Sequence, residues 1–498
     1  FDTNIPTQTI RGIPSTPPIA AFNKWLATTV LSGGGTNTVI LNNAASASVT
    51  SSIVTHDDTD AINLALNANL AITFPAGTYN VRELVIPSAI KSISGVGYGN
   101  STLVSYSETS LNAGVSASMN NSAFTMSGMK VIAGIPMAFD GFTLYQGLNS
   151  LVTNNEFSGS RGFRNLFSDK SIISNNQISA WWNVGLFDDI SSNSIIEGNF
   201  VGPIAAQVGA VALTATPVGS NYQYGSGIWS TYFSSNTLIS ANSVDQRGGS
   251  FGIALQGDGG STVGNNIKYT GRECMSTGVK SNTKTSGNRC YWEPNGNGNL
   301  SGYDFGISIT DDGTNATINQ DISNNQITNS GFAGVGVYGY GVASYTNVSV
   351  SGNVLAGVNQ IAGVHTCGVE ISGSNVSAVY VGNNTFESLT ANTTYNVCEQ
   401  NSGYGAPNGN TIDTQLGSPG TSGTVNIVGG SSVYLGNAGG DLAGTYPNPT
   451  LKTIITAGGP TGSATATPII TFDAKGRLTA VSSTTVTPAI GSVTGLGT

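Results

Sequence analysis

Two aspartates stand at the same place in their repeats, because Asp258 and Asp312 each follow a glycine, Gly252 and Gly306, by six residues. Paired carboxyl groups are what glycoside hydrolysis requires, about 5 to 5.5 Å apart for retention of configuration and about 6.5 to 9.5 Å apart for inversion. If the repeats stack as neighbouring strands about 4.8 Å apart, carboxylates one coil apart meet the first distance and those two coils apart approach the second. Asp258 and Asp312, with the coil of Lys280 between them, are then expected roughly 10 Å apart, near the inverting range. We read them as acid and base in unassigned order, with Asp311 and Glu273 as reserves. Glu273 could instead pair with Asp245 or Asp258, and Glu293 lies beside Trp292 in the long loop from 291 to 302. An aspartate where a strand meets a turn is also a common turn former, and that is the alternative for both.

A ligand face can be read in the same way. Aligning the coils on their glycines places the next apolar residue in the core and the one after it outside, since strand side chains alternate. The outer column reads Thr143, Arg164, Phe187, Trp229, Ala254, Lys280, Ser308, Gly336, Glu370. Two residues on, a second column reads Tyr145, Leu166, Asp189, Thr231, Gln256, Asn282, Thr310, Tyr338, Ser372. Rings stack on the apolar faces of sugars while amides and charged groups take hydroxyls, so Phe187, Trp229, Gln256, Lys280, Asn282, Glu293 and Tyr338 are the candidate glycan-binding residues. Any exposed sheet with a few aromatics offers a plainer explanation. Six of the seventeen basic residues (Arg247, Lys268, Arg272, Lys280, Lys284, Arg289) fall between 247 and 289, which makes the middle coils the functional candidate. Those cations could meet an acidic glycan or hold a carboxylate ionised; ordinary surface ion pairs explain them equally well.

Cysteine and histidine place limits on other chemistry. Neither Cys274 with Cys290 nor Cys367 with Cys398 has CxxC spacing, and neither His56 nor His365 stands at ligand spacing. The expectation is four buried thiols serving as small apolar core residues, with a disulfide or metal staple as the alternative, no metal site and no cofactor.

These residues need a scaffold that repeats. A glycine followed by an apolar residue recurs at Gly141-Phe142, Gly162-Phe163, Gly185-Leu186, Gly227-Ile228, Gly252-Ile253, Gly278-Val279, Gly306-Ile307, Gly334-Val335 and Gly368-Val369, about 21 to 34 residues apart apart from the long step before Gly227. An asparagine leading into an apolar residue keeps phase with it, at Asn155, Asn176, Asn199, Asn242, Asn265, Asn325, Asn353 and Asn384. A period in this range means stacked repeats. Alternating runs such as Gly306-Ile-Ser-Ile-Thr310, bounded by Asn and Gly turns, make each repeat a turn of strands. The predicted fold is all-β, a single-stranded parallel β-helix over residues 56 to 430. Asp57-Asp58-Thr59-Asp60 followed by Ile62, Leu64 and Leu66 predicts a helix that caps its open end. Residues 1 to 55, rich in Thr, Pro and Ser, read as a docking or linker segment, and 431 to 498 as a separate module.

Composition agrees. Only 9% of the chain is charged, leaving solubility to Asn, Ser, Thr and Gly, which favour short strands and tight turns over helices. A net charge of -9 argues against nucleic acid as a partner, and no apolar run is long enough for membrane insertion. The sequence starts at Phe1 rather than Met, as a processed product or a partial sequence does.

The string from Asp57 through Ala61 to Phe74-Pro75-Ala76-Gly77-Thr78-Tyr79 resembles the opening of pectate-lyase-like right-handed β-helix domains, found in phage tailspikes and some secreted polysaccharide enzymes. Near the end, Gly440-Asp-Leu-Ala-Gly-Thr-Tyr-Pro-Asn-Pro-Thr450, Ile470-Thr-Phe-Asp-Ala-Lys-Gly-Arg-Leu-Thr-Ala480 and Ser492-Val-Thr-Gly-Leu-Gly-Thr498 resemble the repeat modules of phage tail fibre proteins. The resemblance implies a virion protein acting outside the cell. It further implies a homotrimer with a C-terminal β-rich stem, a virion tail or baseplate protein bound by the N-terminal segment, and a host surface polysaccharide or lipopolysaccharide as ligand. Such modules are often followed by more sequence, so a further stem or tip is expected downstream. Neither resemblance transfers the carboxylates, because phage β-helix enzymes place theirs in different coils or between chains. A non-catalytic receptor-binding fibre and a secreted polysaccharide lyase are the competing expectations.

Overall fold

The computed structural model describes residues 30–32, 40–41 and 57–487, the latter with breaks of which 203–225 and 293–304 are the largest. Most of the expected docking segment, 1 to 55, therefore lies outside the described residues, as do Asp311, Asp312 and Glu293. The chain divides into two units, 1–433 and 434–498.

The first unit is a right-handed parallel β-helix built from three long parallel sheets of 14, 13 and 13 strands among the described residues. One coil shows the plan: Leu151–Thr153 in the first sheet, Glu156–Gly159 in the second, Phe163–Leu166 in the third, then Ile172–Ser174 back in the first. Coils stack in register, as in Val152 beside Ile173, Phe157 beside Ile178 and Phe163 beside Leu186. Each of those residues is fully buried and the alternate positions face out, so the apolar alternation of the sequence becomes one continuous core. Phe142, Phe157 and Phe163 meet there with ring centroids 5.2 to 5.8 Å apart. The helix Thr59–Ala68 precedes the first coil, buries Ile62 and Leu66, and is opened by Asp57, whose Oδ1 accepts from the Thr59 amide at 3.0 Å.

Both repeated signals acquire a physical cause. At the corner entering the third sheet the coils approach so closely that a Cβ on Gly141, Gly162, Gly185, Gly227 or Gly306 would lie 2.4 to 2.8 Å from the carbonyl oxygen of the equivalent glycine one coil on. The asparagines sit at the corner between the first two sheets, and they are buried there. Asn155, Asn176, Asn199, Asn242, Asn265, Asn288, Asn325, Asn353 and Asn384 form a ladder in which each side-chain amide donates to the Oδ1 of the next, between 2.9 and 3.2 Å. The residue before each takes the left-handed conformation that turns the strand, as at Asn154, Asn175 and Gly198.

The cysteine expectation is overturned. Cys274 is bonded to Cys290 and Cys367 to Cys398, with Cα atoms 6.0 and 5.9 Å apart, inside the span a disulfide needs. Sixteen residues carry the chain from the corner at Cys274 through three strands to Cys290 in the second sheet, which adjoins that corner. Spacing along the chain does not reveal this closure.

The second unit holds an antiparallel hairpin, Ala466–Phe472 with Leu478–Thr485. Asp473 closes its turn by accepting from the Arg477 guanidinium at 2.7 Å, while Lys475 and Arg477 both pair with Asp441. Ile469, Ile470 and Phe472 are exposed on its surface.

Candidate functional site

The outer face of the third sheet gathers most of the chemistry. Its true column, read from strand register, is Thr143, Arg164, Phe187, Trp229, Ala254, Ser276, Ser308, Gly336, Glu370 and Cys398. Lys280 and Asn282 do not belong to these columns. Gly252 meets the carbonyl of Cys274, so Cys274, not Gly278, occupies that coil's corner, and the expected alignment slips by four residues there. Lys280 and Asn282 instead fall in the turn that leads to the first-sheet strand Lys284–Ser286.

The aromatics of this column are packed rather than displayed. Phe187 (3% exposed) and Trp229 (5%) form a buried cluster with Val184 and Ala254, their rings edge to face at 5.8 Å. Stacked one coil apart, they shed water against each other. The Trp229 indole donates to Gln256 Oε1 at 2.9 Å. The guanidinium groups of Arg161 and Arg164 lie 5.5 and 5.6 Å from the Phe187 ring centre. Each arginine also holds a carboxylate: Arg161 donates to Asp140 at 2.6 Å and Arg164 to Asp189 at 2.7 Å. The face is thus a row of guanidinium, carboxylate and amide groups braced on rings, which suits holding hydroxyl-rich or anionic ligands.

Further along, Tyr338 (4% exposed) packs with Phe305 and Phe332. His365 lies over the same rings and sets its Nδ1 3.0 Å from both carboxylate oxygens of the buried Glu370. Sequence reasoning passed over this pair, and over Asp140 with Arg161. Its one available signal was a histidine five residues before an outward glutamate.

Of the expected acid–base pair and its reserves, only Asp258 and Glu273 fall among the described residues. Asp258 is exposed in the turn after the third sheet, where its Oδ1 accepts from the Asn282 side chain at 3.4 Å. Glu273 is buried at the start of a third-sheet strand. The basic cluster also disperses: Lys268 and Arg289 lie on the second sheet, and Lys284 on the first, 4.0 Å from Asp321. Asp188, next to Asp189 but inward, is fully buried, and burial pushes its carboxyl above the usual range against donors from Asn165, Thr237, Ser194 and Ser230. In the exposed turns, hydrogen bonds from Asn193 and Ser192 hold the Asp169 carboxyl below that range. Among the described residues no group of three or more His, Cys, Asp or Glu could hold a metal ion.

By sequence the chain matches no protein-family model and no curated protein. Among solved structures it is similar to bacteriophage phi29 gene product 12 in pre-mature form, at 14% identity over 80% of this chain and 56% of that one, with a TM-score of 0.51. It is also similar to a family 28 exopolygalacturonase of Yersinia enterocolitica (11% identity, 75% and 76% covered, TM-score 0.45) and to the Dettilon tailspike protein (14%, 66% and 66%, TM-score 0.36). At such identities the likeness is one of fold: the chain is a right-handed parallel β-helix of the kind that the phage gene product has.

Proposed function

We propose that the chain is a bacteriophage tail fibre or tailspike protein that attaches the virion to its host by binding a surface polysaccharide or lipopolysaccharide. The observation that carries this is the third sheet's outer face, where arginine–carboxylate pairs and a glutamine are braced on rings along successive coils. The phage-type β-helix and the tail-fibre motifs between Gly440 and Thr498 support the same reading. On this reading residues 56 to 430 bind the glycan. Residues 431 to 498 join three copies in a stem, and residues 1 to 55 meet the virion tail or baseplate. Nucleic acid and membrane insertion play no part, and no helix among the described residues is long and apolar enough to cross a membrane.

Hydrolysis of the bound polymer is the second reading. It is favoured by the exposure of Asp258, which leaves its carboxyl open to solvent for acid–base work in a way that the buried Glu273 is not. Asp312 is its proposed partner, with Asp311 in reserve. Incubation with purified bacterial capsular and lipopolysaccharides, read by gel filtration and mass spectrometry, tests both readings. Retained but intact polymer is the outcome expected of an adhesive fibre. Shortened products that vanish with Asp258→Asn would establish hydrolysis, and a chain that neither retains nor shortens any polymer would refute the glycan reading.

A further inference from the structure

Where the third sheet turns toward the first, parallel bridges align Leu148, Asp169, Ser192, Ser235 and Asp258 in one column. Two residues earlier in four of these coils stand Gln146, Phe167, Ile190 and Phe233, and in the fifth, where the turn is shorter, Gln256 follows Thr231 in the strand register. With coils about 4.8 Å apart, these five form a ledge roughly 19 Å long, with an amide at each end and two rings and an aliphatic side chain between.

Three features set the ledge apart from the other turns. Phe167 is 38% exposed and Phe233 43%, in turns just beyond the third-sheet strands Phe163–Leu166 and Ser226–Ser230, whereas the strands keep most of their large apolar side chains inside. Gln146, Phe167 and Ile190 hold φ of 52 to 54°, the left-handed region, which a bulky or β-branched residue adopts only against steric resistance. Elsewhere the fold fills its left-handed columns mainly with asparagine and glycine, as at Asn193, Asn236, Gly259 and Asn282 in the very next turn. The Tyr145 ring also meets Phe167 edge to face at 5.7 Å, which widens the apolar surface and fixes the ring that it presents.

The neighbouring column supplies what an aromatic ledge needs to take a sugar rather than a lipid or a greasy peptide. Beside the rings run Asp169, Ser192, Ser235 and Asp258, with Asn193, Asn236 and Asn282 just beyond. We propose that Gln146, Phe167, Ile190, Phe233 and Gln256 form a glycan-binding ledge. It takes an extended oligosaccharide along the β-helix axis, the rings against the apolar faces of successive sugars and the polar turn column on their hydroxyls. The proposal rests on the reading that the chain binds a surface glycan, and it names the subsite.

The test uses the full chain on whichever purified capsular polysaccharide or lipopolysaccharide the wild type retains. Phe167→Asn and Phe233→Ser are each expected to weaken binding about tenfold, while Phe167→Tyr keeps it. Phe167→Asn is expected to melt no lower than wild type, because asparagine suits the left-handed backbone, so loss of binding with retained stability is the signature. Sedimentation of the same variants gives the other arm. If Phe167→Asn binds like wild type, or loses binding only together with self-association, the ledge is not a glycan site, and in the latter case it is a contact between copies of the chain. A wild-type chain that retains none of the polymers fails at the functional reading itself and takes the ledge with it.

Discussion

Replacing Asn242 by alanine removes one rung of the buried ladder, and the structure states what is lost. The Asn199 amide N–H and side-chain amide donate to Asn242 Oδ1 at 2.9 and 3.0 Å, and the Asn242 side chain donates to the Ile196 carbonyl at 2.9 Å and to Asn265 Oδ1 at 3.0 Å. All four bonds vanish. The Asn199 side chain still donates to the Ile173 carbonyl, so its loss is partial, but the Asn199 N–H is stranded in the buried interior. At about 1 to 3 kcal/mol for each buried group left unpaired, the substitution destabilises by about 3 kcal/mol. The control is Asn236→Gly in the exposed turn of the same coil. It loses only a solvent-accessible bond of 3.2 Å to Asn193, and the next coil carries Gly259 at that very position. Its expected effect is within about 0.5 kcal/mol. Since a solenoid can open coil by coil, chemical denaturation is paired with hydrogen exchange of the Asn199 amide, which reports opening at the damaged rung. If Asn242→Ala and Asn236→Gly unfold alike and the Asn199 amide stays protected, the ladder is not what holds this corner.

Other consequences follow from the same structure. The denatured, unreduced chain should titrate no free thiol, since its four cysteines make two disulfides, and Cys274→Ser with Cys290→Ser should cost about 3 kcal/mol for a loop of this length; four reactive thiols would refute the pairing. Asp188 has its folded pKa raised, so its contribution to stability is complete below the unfolded value near 3.9 and is lost as pH rises through the folded value. Asp188→Asn, which cannot ionise, should therefore gain in melting temperature over wild type from acid to neutral pH, and a gain in the opposite direction would show the carboxylate to be stabilised by its donors. In the second unit, a two-stranded hairpin that exposes Ile469, Ile470 and Phe472 is marginal by itself, so the proposed trimer should lose mass in sedimentation on Phe472→Asp. A monomeric wild type would remove that proposal.

How far the sequence reveals this depends on which physical cause leaves a mark in composition. The corner glycines were readable because steric exclusion permits no other residue at Gly162 or Gly185. The asparagines read from the sequence as turn residues, since an isolated asparagine between strands has no visible partner and only stacking supplies one. Asn288 escaped the pattern because Cys290 rather than an aliphatic residue fills the core position after it. The slip at Lys280 has a similar origin: a cysteine took the corner that glycine keeps in most coils, and Gly278 lay close enough to be mistaken for it. Strand parity correctly placed Phe187, Trp229 and Tyr338 on the outer face, but parity says nothing about what packs over that face, and all three are buried. The ring column of Phe167 and Phe233 was invisible for another reason, because it depends on turn conformation, for which alternation has no rule.

Parity also explains how one coil can carry a rigid ladder and a chemically varied exterior without conflict. Core and ladder residues point inward and bond to the same position one coil away, so their requirements repeat along the whole solenoid. Outer residues such as Arg164, Phe167 and Gln256 stand outside that repeating interior and meet different neighbours in each coil, so they change type from coil to coil. A consequence is independence. Phe167 lies at the end of the third sheet two coils before Asn242, which lies at the corner between the first two sheets. The stability changes of Phe167→Asn and Asn242→Ala should therefore add in the double variant to within about 0.5 kcal/mol, with any loss of glycan binding traceable to Phe167 alone. A coupling larger than that would mean that the exposed turns and the buried ladder hold each other in place, and that the strained backbone at Phe167 belongs to the fold rather than to a ligand.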